Sequence, residues 1–201
     1  MADWQPLDLP GAEVSLCPAW LDRAQADALF AELHAGIAWE VHRIRRFGRL
    51  VDSPRLSCWI GDPGASYVYS LTRFEPRPWP LALAALRERA QHACGARFNS
   101  VLANLYRDGR DSMGWHSDDE PELGPQPLIA SLSLGAERRF RFQRKLPPGV
   151  HPTASDSVAL TLPHGSLLRM AGDTQRHYRH ELPKALRVVA PRINLTFRCI
   201  V

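Results

Sequence analysis

Two stretches of the chain, residues 20–35 (WLDRAQADALFAELHA) and 80–94 (PLALAALRERAQHAC), set Ala and Leu among charges at the spacing of an amphipathic helix. A proline precedes or opens each. From residue 99 onward the texture changes to short segments rich in Leu, Val, Ile, Phe and Arg, at 100–106, 127–134, 139–144, 157–162, 166–170, 186–189 and 193–200, punctuated by Gly, Pro and Asp. Several alternate cleanly, as in Ser131 to Leu134, Arg139 to Phe142 and Asn194 to Phe197, which is the pattern of a strand with unlike faces. Residues 40–73 also read as extended, with turn signals at Phe47-Gly48 and at residues 61–64 (GDPG), and Pro147-Pro148-Gly149 marks an exposed loop. Many short strands behind helices predict a sandwich or jelly roll.

Composition narrows this without redirecting it. A chain of 201 residues, 45% apolar, suits a single domain with a sizeable core. Cys17, Cys58, Cys94 and Cys199 are scattered, so free thiols and a reducing, cytoplasmic compartment are expected, beside the nucleoid in a bacterium. No apolar run is long enough to span a bilayer, and residues 1–6 do not resemble a secretory leader. Net charge is +4, with arginines gathered at 43, 45, 46 and 49 and again at 138, 139, 141 and 144 beside Lys145. Such runs can be plain solvated faces or edges that meet an anionic partner.

The chemistry concentrates in His116-Ser117-Asp118. An imidazole and a carboxylate two residues apart project to one side of an extended backbone, so one strand end can offer both to a single ion. A third ligand from a distant strand would complete two histidines and a carboxylate on one face of a metal, the arrangement of non-haem Fe(II) oxygenases. His164, His177 and His180 all compete for that place. Arg192 and Arg198 lie six residues apart on an alternating segment, an even spacing that turns both guanidiniums to one side. Two interior cations are costly unless an anion meets them, and a dicarboxylate cosubstrate would satisfy both.

Taken together, residues 104–106 (NLY), 113–120 (MGWHSDDE), 129–135 (IASLSLG), 163–167 (PHGSL), 180–183 (HELP) and 190–198 (APRINLTFR) resemble the AlkB family of Fe(II)/2-oxoglutarate-dependent nucleic-acid dealkylases, in the family's order, over about residues 40–201. The resemblance implies a mainly β, α+β fold with a double-stranded β-helix (jelly-roll) core. Residues 99–201 would form this core, and residues 1–98 would supply helical support and nucleotide-recognition hairpins within one domain spanning 1–201. It selects His180 as the third Fe(II) ligand, because Glu181, Leu182 and Pro183 follow it. It implies that Asn104, Tyr106, Arg192, Asn194, Thr196 and Arg198 hold 2-oxoglutarate, with either arginine free to take either carboxylate.

The activity so implied is oxidative dealkylation of 1-methyladenine or 3-methylcytosine type lesions in DNA, consuming O2 and 2-oxoglutarate and releasing succinate, CO2 and formaldehyde. RNA, protein or a small molecule is the alternative substrate, and a monomer with no membrane partner is expected. Arg46-Phe47-Gly48-Arg49 resembles the finger that enters the base stack in the duplex-repairing branch, with Phe47 as wedge and the arginines on phosphates. Arg55, Tyr67 and Tyr69 fall where the family's lesion pocket would be, and Asp119 and Glu120 could accept from an exocyclic amine. Trp115 is expected to pack rather than to touch a base. One departure stands out: residues 146–157 (LPPGVHPTASDS) hold no Lys or Arg, where duplex-repairing relatives carry a basic loop.

Overall fold

The computed structural model describes residues 2–46, 49–69 and 72–201, and the side chains of 44–46, 49–50, 67–69 and 72–74 lie outside that description. Strands β1 (Gln5–Pro6) and β2 (Glu13–Cys17) lead into helix α1 (Arg23–Gly36). Then follow β3 (Glu40–Arg46), β4 (Arg49–Gly61), β5 (Tyr67–Tyr69), β6 (Thr72–Phe74) and helix α2 (Leu81–Cys94). The C-terminal half runs through β7 (Ser100–Tyr106), β8 (Met113–His116), β9 (Ile129–Gly135), β10 (Arg138–Arg144), β11 (Ser157–Leu162) and β12 (Leu167–Ala171). A single helical turn, α3 (Thr174–His177), precedes β13 (Tyr178–Leu182) and β14 (Arg192–Arg198).

Among the described residues the strands form an eight-stranded sheet in the order β1-β2-β12-β9-β14-β7-β4-β3, a four-stranded sheet β11-β10-β13-β8, and the small β5-β6 pair. Every ladder between named strands is antiparallel, so this is the expected jelly roll. Sequence alternation decides which side chains meet which layer. On β14, Ile193, Leu195 and Phe197 join a core with Leu33 of α1 and Leu83 and Leu86 of α2. Arg192, Asn194, Thr196 and Arg198 of the same strand point the other way, into a cavity between the two large sheets. Strand β7 repeats the division, with Val101, Ala103 and Leu105 outward and Leu102, Asn104 and Tyr106 inward. Full burial of a side chain such as Phe197 is worth about 1.5–3 kcal/mol, so slipping either strand by one residue would forfeit several such terms at once.

The helices hold the outer layer for local reasons. Asp22 caps α1 by accepting from the Gln25 backbone N–H at 2.8 Å. Gly95 ends α2 in the left-handed region at φ 65, which a Cβ would disfavour. Both helices are legible in the sequence, but strands β1, β2 and β13 fall outside the segments that read as extended. Residues 186–189 form no strand: Leu186 and Val189 are 73% and 85% exposed, and Val188 donates its N–H to Ala185 O in a turn. The strand lies at 178–182 instead, where Tyr178, His180 and Leu182 alternate inward behind a polar composition that hides the period. Among the described residues no helix is long and apolar enough to cross a membrane, and all four cysteines are free thiols.

Two loops close one end of the barrel. Gly109 N–H donates to Val188 O at 2.7 Å, and Ala185 N–H donates to Gly109 O at 2.8 Å. Buried Arg138 fastens the same end, donating to the carbonyls of Asp108, Asp111 and Pro183 at 3.2, 2.9 and 2.7 Å. A Cβ on Gly109 would overlap the Ala185 carbonyl, so no side chain fits there. Gly109→Ala is therefore expected to lower stability by about 1–3 kcal/mol, read as a reduced urea midpoint with unchanged slope. A midpoint equal to that of the unsubstituted protein would show that the two loops do not depend on each other.

Candidate active site

The cavity between the sheets is built from strand ends. His116 ends β8, and His180 stands opposite it on β13, so the two imidazoles are cross-strand neighbours with ring centroids 4.2 Å apart. Asp118 lies two residues beyond β8 and turns its carboxylate between them. Its Oδ1 is 3.8 Å from His116 Nε2, and its Oδ2 is 3.9 Å from His180 Nε2. These spacings exceed a hydrogen bond but suit atoms that share one ion, and all three ligand atoms lie within 4.8 Å of one another. His116 Nδ1–H donates to Gly114 O at 2.8 Å, which leaves the Nε2 lone pair facing the other ligands. Phe140 and Phe142 of β10 pack the His180 ring from two sides.

The competing histidines are engaged elsewhere. His177 Nδ1 donates to Gly11 O at 2.7 Å, while His164 accepts from Gly135 N–H and faces Asp27. Electrostatics also suits a cation. Burial pushes the His180 imidazolium down to about 3, with neighbouring His116 acting the same way, so His180 is a neutral donor at physiological pH. His116 is lowered too, chiefly by burial. Burial raises the Asp118 carboxyl, yet the charges of Arg198, His180 and His116 outweigh it and hold the group at about 2. Two neutral imidazoles and one carboxylate, nearly enclosed, form a donor set that suits Fe(II).

From this triad the cavity extends along β14. Arg198 Nη2 donates to Asp118 Oδ1 at 2.8 Å, with both side chains 3% exposed. At the other end, buried Arg192 donates to Ser133 Oγ at 2.8 Å and lies 5.4 Å from the Tyr106 ring centroid. Its Nε has no hydrogen-bond partner, and among the described residues no carboxylate pairs with it. Burial draws the Arg192 guanidinium down to about 10. A buried cation without a counter-ion is a place for an anion, and this one fits the far carboxylate of a diacid.

The remaining sequence-derived candidates divide. Asn104 and Tyr106 line the cavity between the arginines, as do Asn194 and Thr196. Asn194 donates to Ser131 Oγ and Leu132 O and accepts from Thr196 Oγ1, so this pair spends its polar groups largely on each other and on β9. Arg55 is buried with its Nε donating to Asn104 Oδ1 at 2.8 Å, so it supports a cavity-lining side chain without lining the cavity itself. Asp119 accepts from Lys145 Nζ at 2.9 Å, so its carboxylate already has a cation. Glu120 follows as the N-cap of a single 3-10 turn over Pro121–Leu123. Phe47 and Gly48 lie outside the described residues, and of Tyr67 and Tyr69 only the backbone, in β5, is described. Trp115 packs between Arg141 and Arg179, 5.1 and 5.3 Å from their guanidinium carbons. Sequence reasoning missed Ser131, Ser133 and Gln175; the small polar residues alternating through β9 were the available signal for the two serines.

The histidine shifts carry a sign that can be measured. Between pH 6.5 and about 3 the unfolded chain binds a proton at His180 that the folded chain refuses, and His116 shifts the same way. Stability is thus fully present above the ordinary histidine pKa and is lost as pH falls below it, at on the order of 1 kcal/mol per pH unit for each such group. Denaturant unfolding of metal-free protein at pH 7.5 and 5.0 should show this loss, and His180→Phe should flatten it. A slope unchanged in that variant would contradict a buried neutral His180.

The comparisons with known proteins agree with this geometry. The model of the 2OG-Fe(II) oxygenase superfamily matches residues 13–198. The chain is 42% identical over 192 residues to alpha-ketoglutarate-dependent dioxygenase alkB homolog 3 of Bos taurus, covering 94% of this chain but 66% of that relative, a little under two thirds of its length. It is 40% identical over 202 residues to DNA oxidative demethylase ALKBH2 of Mus musculus, covering 98% of this chain and 84% of the relative. The solved structure of OsALKBH1 shares the fold, with a TM-score of 0.68 at 16% identity over 98% of this chain and 99% of the other. With the superfamily match spanning nearly the whole barrel and two sets of AlkB homologues about 40% identical, the chain belongs to the AlkB family of 2OG-Fe(II) oxygenases.

Proposed function

We propose that this chain removes N-alkyl groups from DNA bases by oxidation. The observation that carries the reading is one buried cavity holding the His116, Asp118 and His180 donor set at one end and the unpaired Arg192 guanidinium at the other. The relative named DNA oxidative demethylase ALKBH2, of which this chain covers 84%, supports DNA as the substrate. Bound Fe(II) would supply the oxidising chemistry, coupling O2 and 2-oxoglutarate to attack on an N-alkyl carbon and releasing succinate, CO2 and formaldehyde.

The chain's own residues do the placing. Arg198, joined to Asp118, takes the cosubstrate carboxylate nearest the metal. Arg192, Ser133 and Tyr106 receive the distal one. Six residues of strand separate the two arginine Cα atoms by roughly 20 Å, which leaves room for a diacid of a few carbons between two inward-reaching side chains. Arg55 fixes the Asn104 amide by donating to its oxygen, so the Asn104 amide nitrogen is left for the cosubstrate. Phe140 and Phe142 keep water from the His180 side.

Delivery of the base falls to the β3–β4 hairpin. Its ladder runs to the Arg46–Arg49 pair, and Phe47 and Gly48 lie between those residues in sequence. Phe47 fills the gap left by a flipped base, which offsets an unstacking cost of a few kcal/mol. Exposed Arg43, 3.9 Å from Asp52, is available for a phosphate.

Formaldehyde release from oligonucleotides bearing 1-methyladenine or 3-methylcytosine, with and without Fe(II) and 2-oxoglutarate, tests the reading directly. Asp118→Ala should abolish release while leaving oligonucleotide affinity within about threefold, since a metal ligand makes no phosphate contact. Release by this variant at the normal rate would refute the metal centre. Phe47→Ala should slow repair of duplex more than of single strands, by about tenfold or more if the wedge offsets over 1.4 kcal/mol of unstacking. Equal losses on both substrates would remove the wedge.

A further inference from the structure

The three ligands differ in what holds them. His180 sits within the β13 ladder, and His116 ends β8 with its ring tied to Gly114 O. Asp118 lies beyond the strand, where no ladder partner fixes its backbone. A carboxylate in that position would swing with its loop unless another element held it.

That element is α3. The Asp118 backbone N–H donates to Gln175 Oε1 at 3.0 Å, across 57 residues of sequence. Gln175 is 2% exposed, and its own Nε2 rests on Met170 Sδ at 3.6 Å, so the amide cannot turn without burying an unmet donor. A second tie runs alongside. Lys145 Nζ donates to Gln175 O at 2.8 Å and to Asp119 Oδ2 at 2.9 Å, while Lys145 N–H donates to His177 O at 2.7 Å. Ser117 Oγ donates to Tyr178 O at 2.9 Å, so Ser117 and Asp118 are fastened directly to the start of β13 and to α3, and Asp119 reaches α3 through Lys145. That is the segment that leads directly into His180.

We propose that Gln175 is a positioning residue for the metal centre. Its side-chain oxygen does for Asp118 what a ladder does for the histidines, fixing the carboxylate at the distance from His116 and His180 that a divalent ion requires. The Lys145 bridge reinforces the same join from the solvent side. The role rests on the assignment of His116, Asp118 and His180 as metal ligands, and it concerns metal affinity rather than chemistry on the base.

The test is Mn(II) binding to metal-free protein in the presence of 2-oxoglutarate, followed by the electron paramagnetic resonance signal of free Mn(II). Gln175→Met keeps volume and removes the acceptor, whereas Gln175→Glu keeps an oxygen on the Asp118 N–H. Gln175→Met should weaken Mn(II) binding about 10- to 100-fold, the usual cost of losing a partner that orients a ligand, while Gln175→Glu stays within about threefold. A packing role alone would lower the unfolding midpoint of both variants and leave the Mn(II) dissociation constant unchanged. An unchanged constant in Gln175→Met, or equal weakening in both variants, overturns the proposal. If Gln175→Met does not fold, Lys145→Met cuts the second tie at the surface and should weaken Mn(II) by about 3- to 10-fold; no weakening there would overturn it equally. Failure of the unsubstituted protein to bind Mn(II) would instead overturn the metal centre, and the role of Gln175 with it.

Discussion

The buried ion pair between Arg198 and Asp118 is the contact on which the site turns. Taking both charges out of water is expensive, and removing one partner of such a pair costs about 3–5 kcal/mol because the other is left buried and alone. An apolar pair would fill the same space without that penalty, so stability alone does not account for it. The pair joins the end of β14 to the loop after β8, and with that it joins the arginine-lined cavity to the His116, Asp118 and His180 cluster. Arg198 also holds the Asp118 carboxyl ionised, which a metal ligand needs.

Around that pair the barrel is organised by one repeated rule. Strands β7, β9 and β14 lie side by side in the large sheet, and each sends apolar residues toward the helices and polar ones into the cavity. The helix-facing residues supply the burial that offsets the cost of a polar interior, and the close packing of that outer layer fixes where Asn104, Ser133 and Arg192 stand. The tolerance for misplacement is small, since a hydrogen bond weakens steeply with a few tenths of an ångström. Arg138 extends the rule to the barrel end, where a buried cation donating to three carbonyls holds two loops against each other.

Much of this architecture is legible in the order of residues along the chain. Helices α1 and α2 and strands β7, β9, β10, β11, β12 and β14 follow from the sequence pattern, and the shared side of Arg192 and Arg198 from their even spacing. Strand β13 is hidden, because Tyr178 and His180 count as polar although both are buried. The opposite error comes at 186–189, where an apolar run reads as a strand but is drawn into a turn by hydrogen bonds to the Gly109 loop.

The sequence by itself determined the faces: which residues of each strand look outward, which look inward, and that a histidine and an aspartate share one strand end. Only the tertiary structure decided the neighbours. It set His180 beside His116 and Asp118, the choice the AlkB resemblance had already made over His164 and His177, set Arg198 on Asp118, and brought Gln175 to a backbone N–H 57 residues away. The physical reason is that alternation is a property of one strand and is written locally, whereas register and strand order arise from packing between strands distant in sequence. A side chain that meets its partner only across such a join leaves no local signature of the meeting.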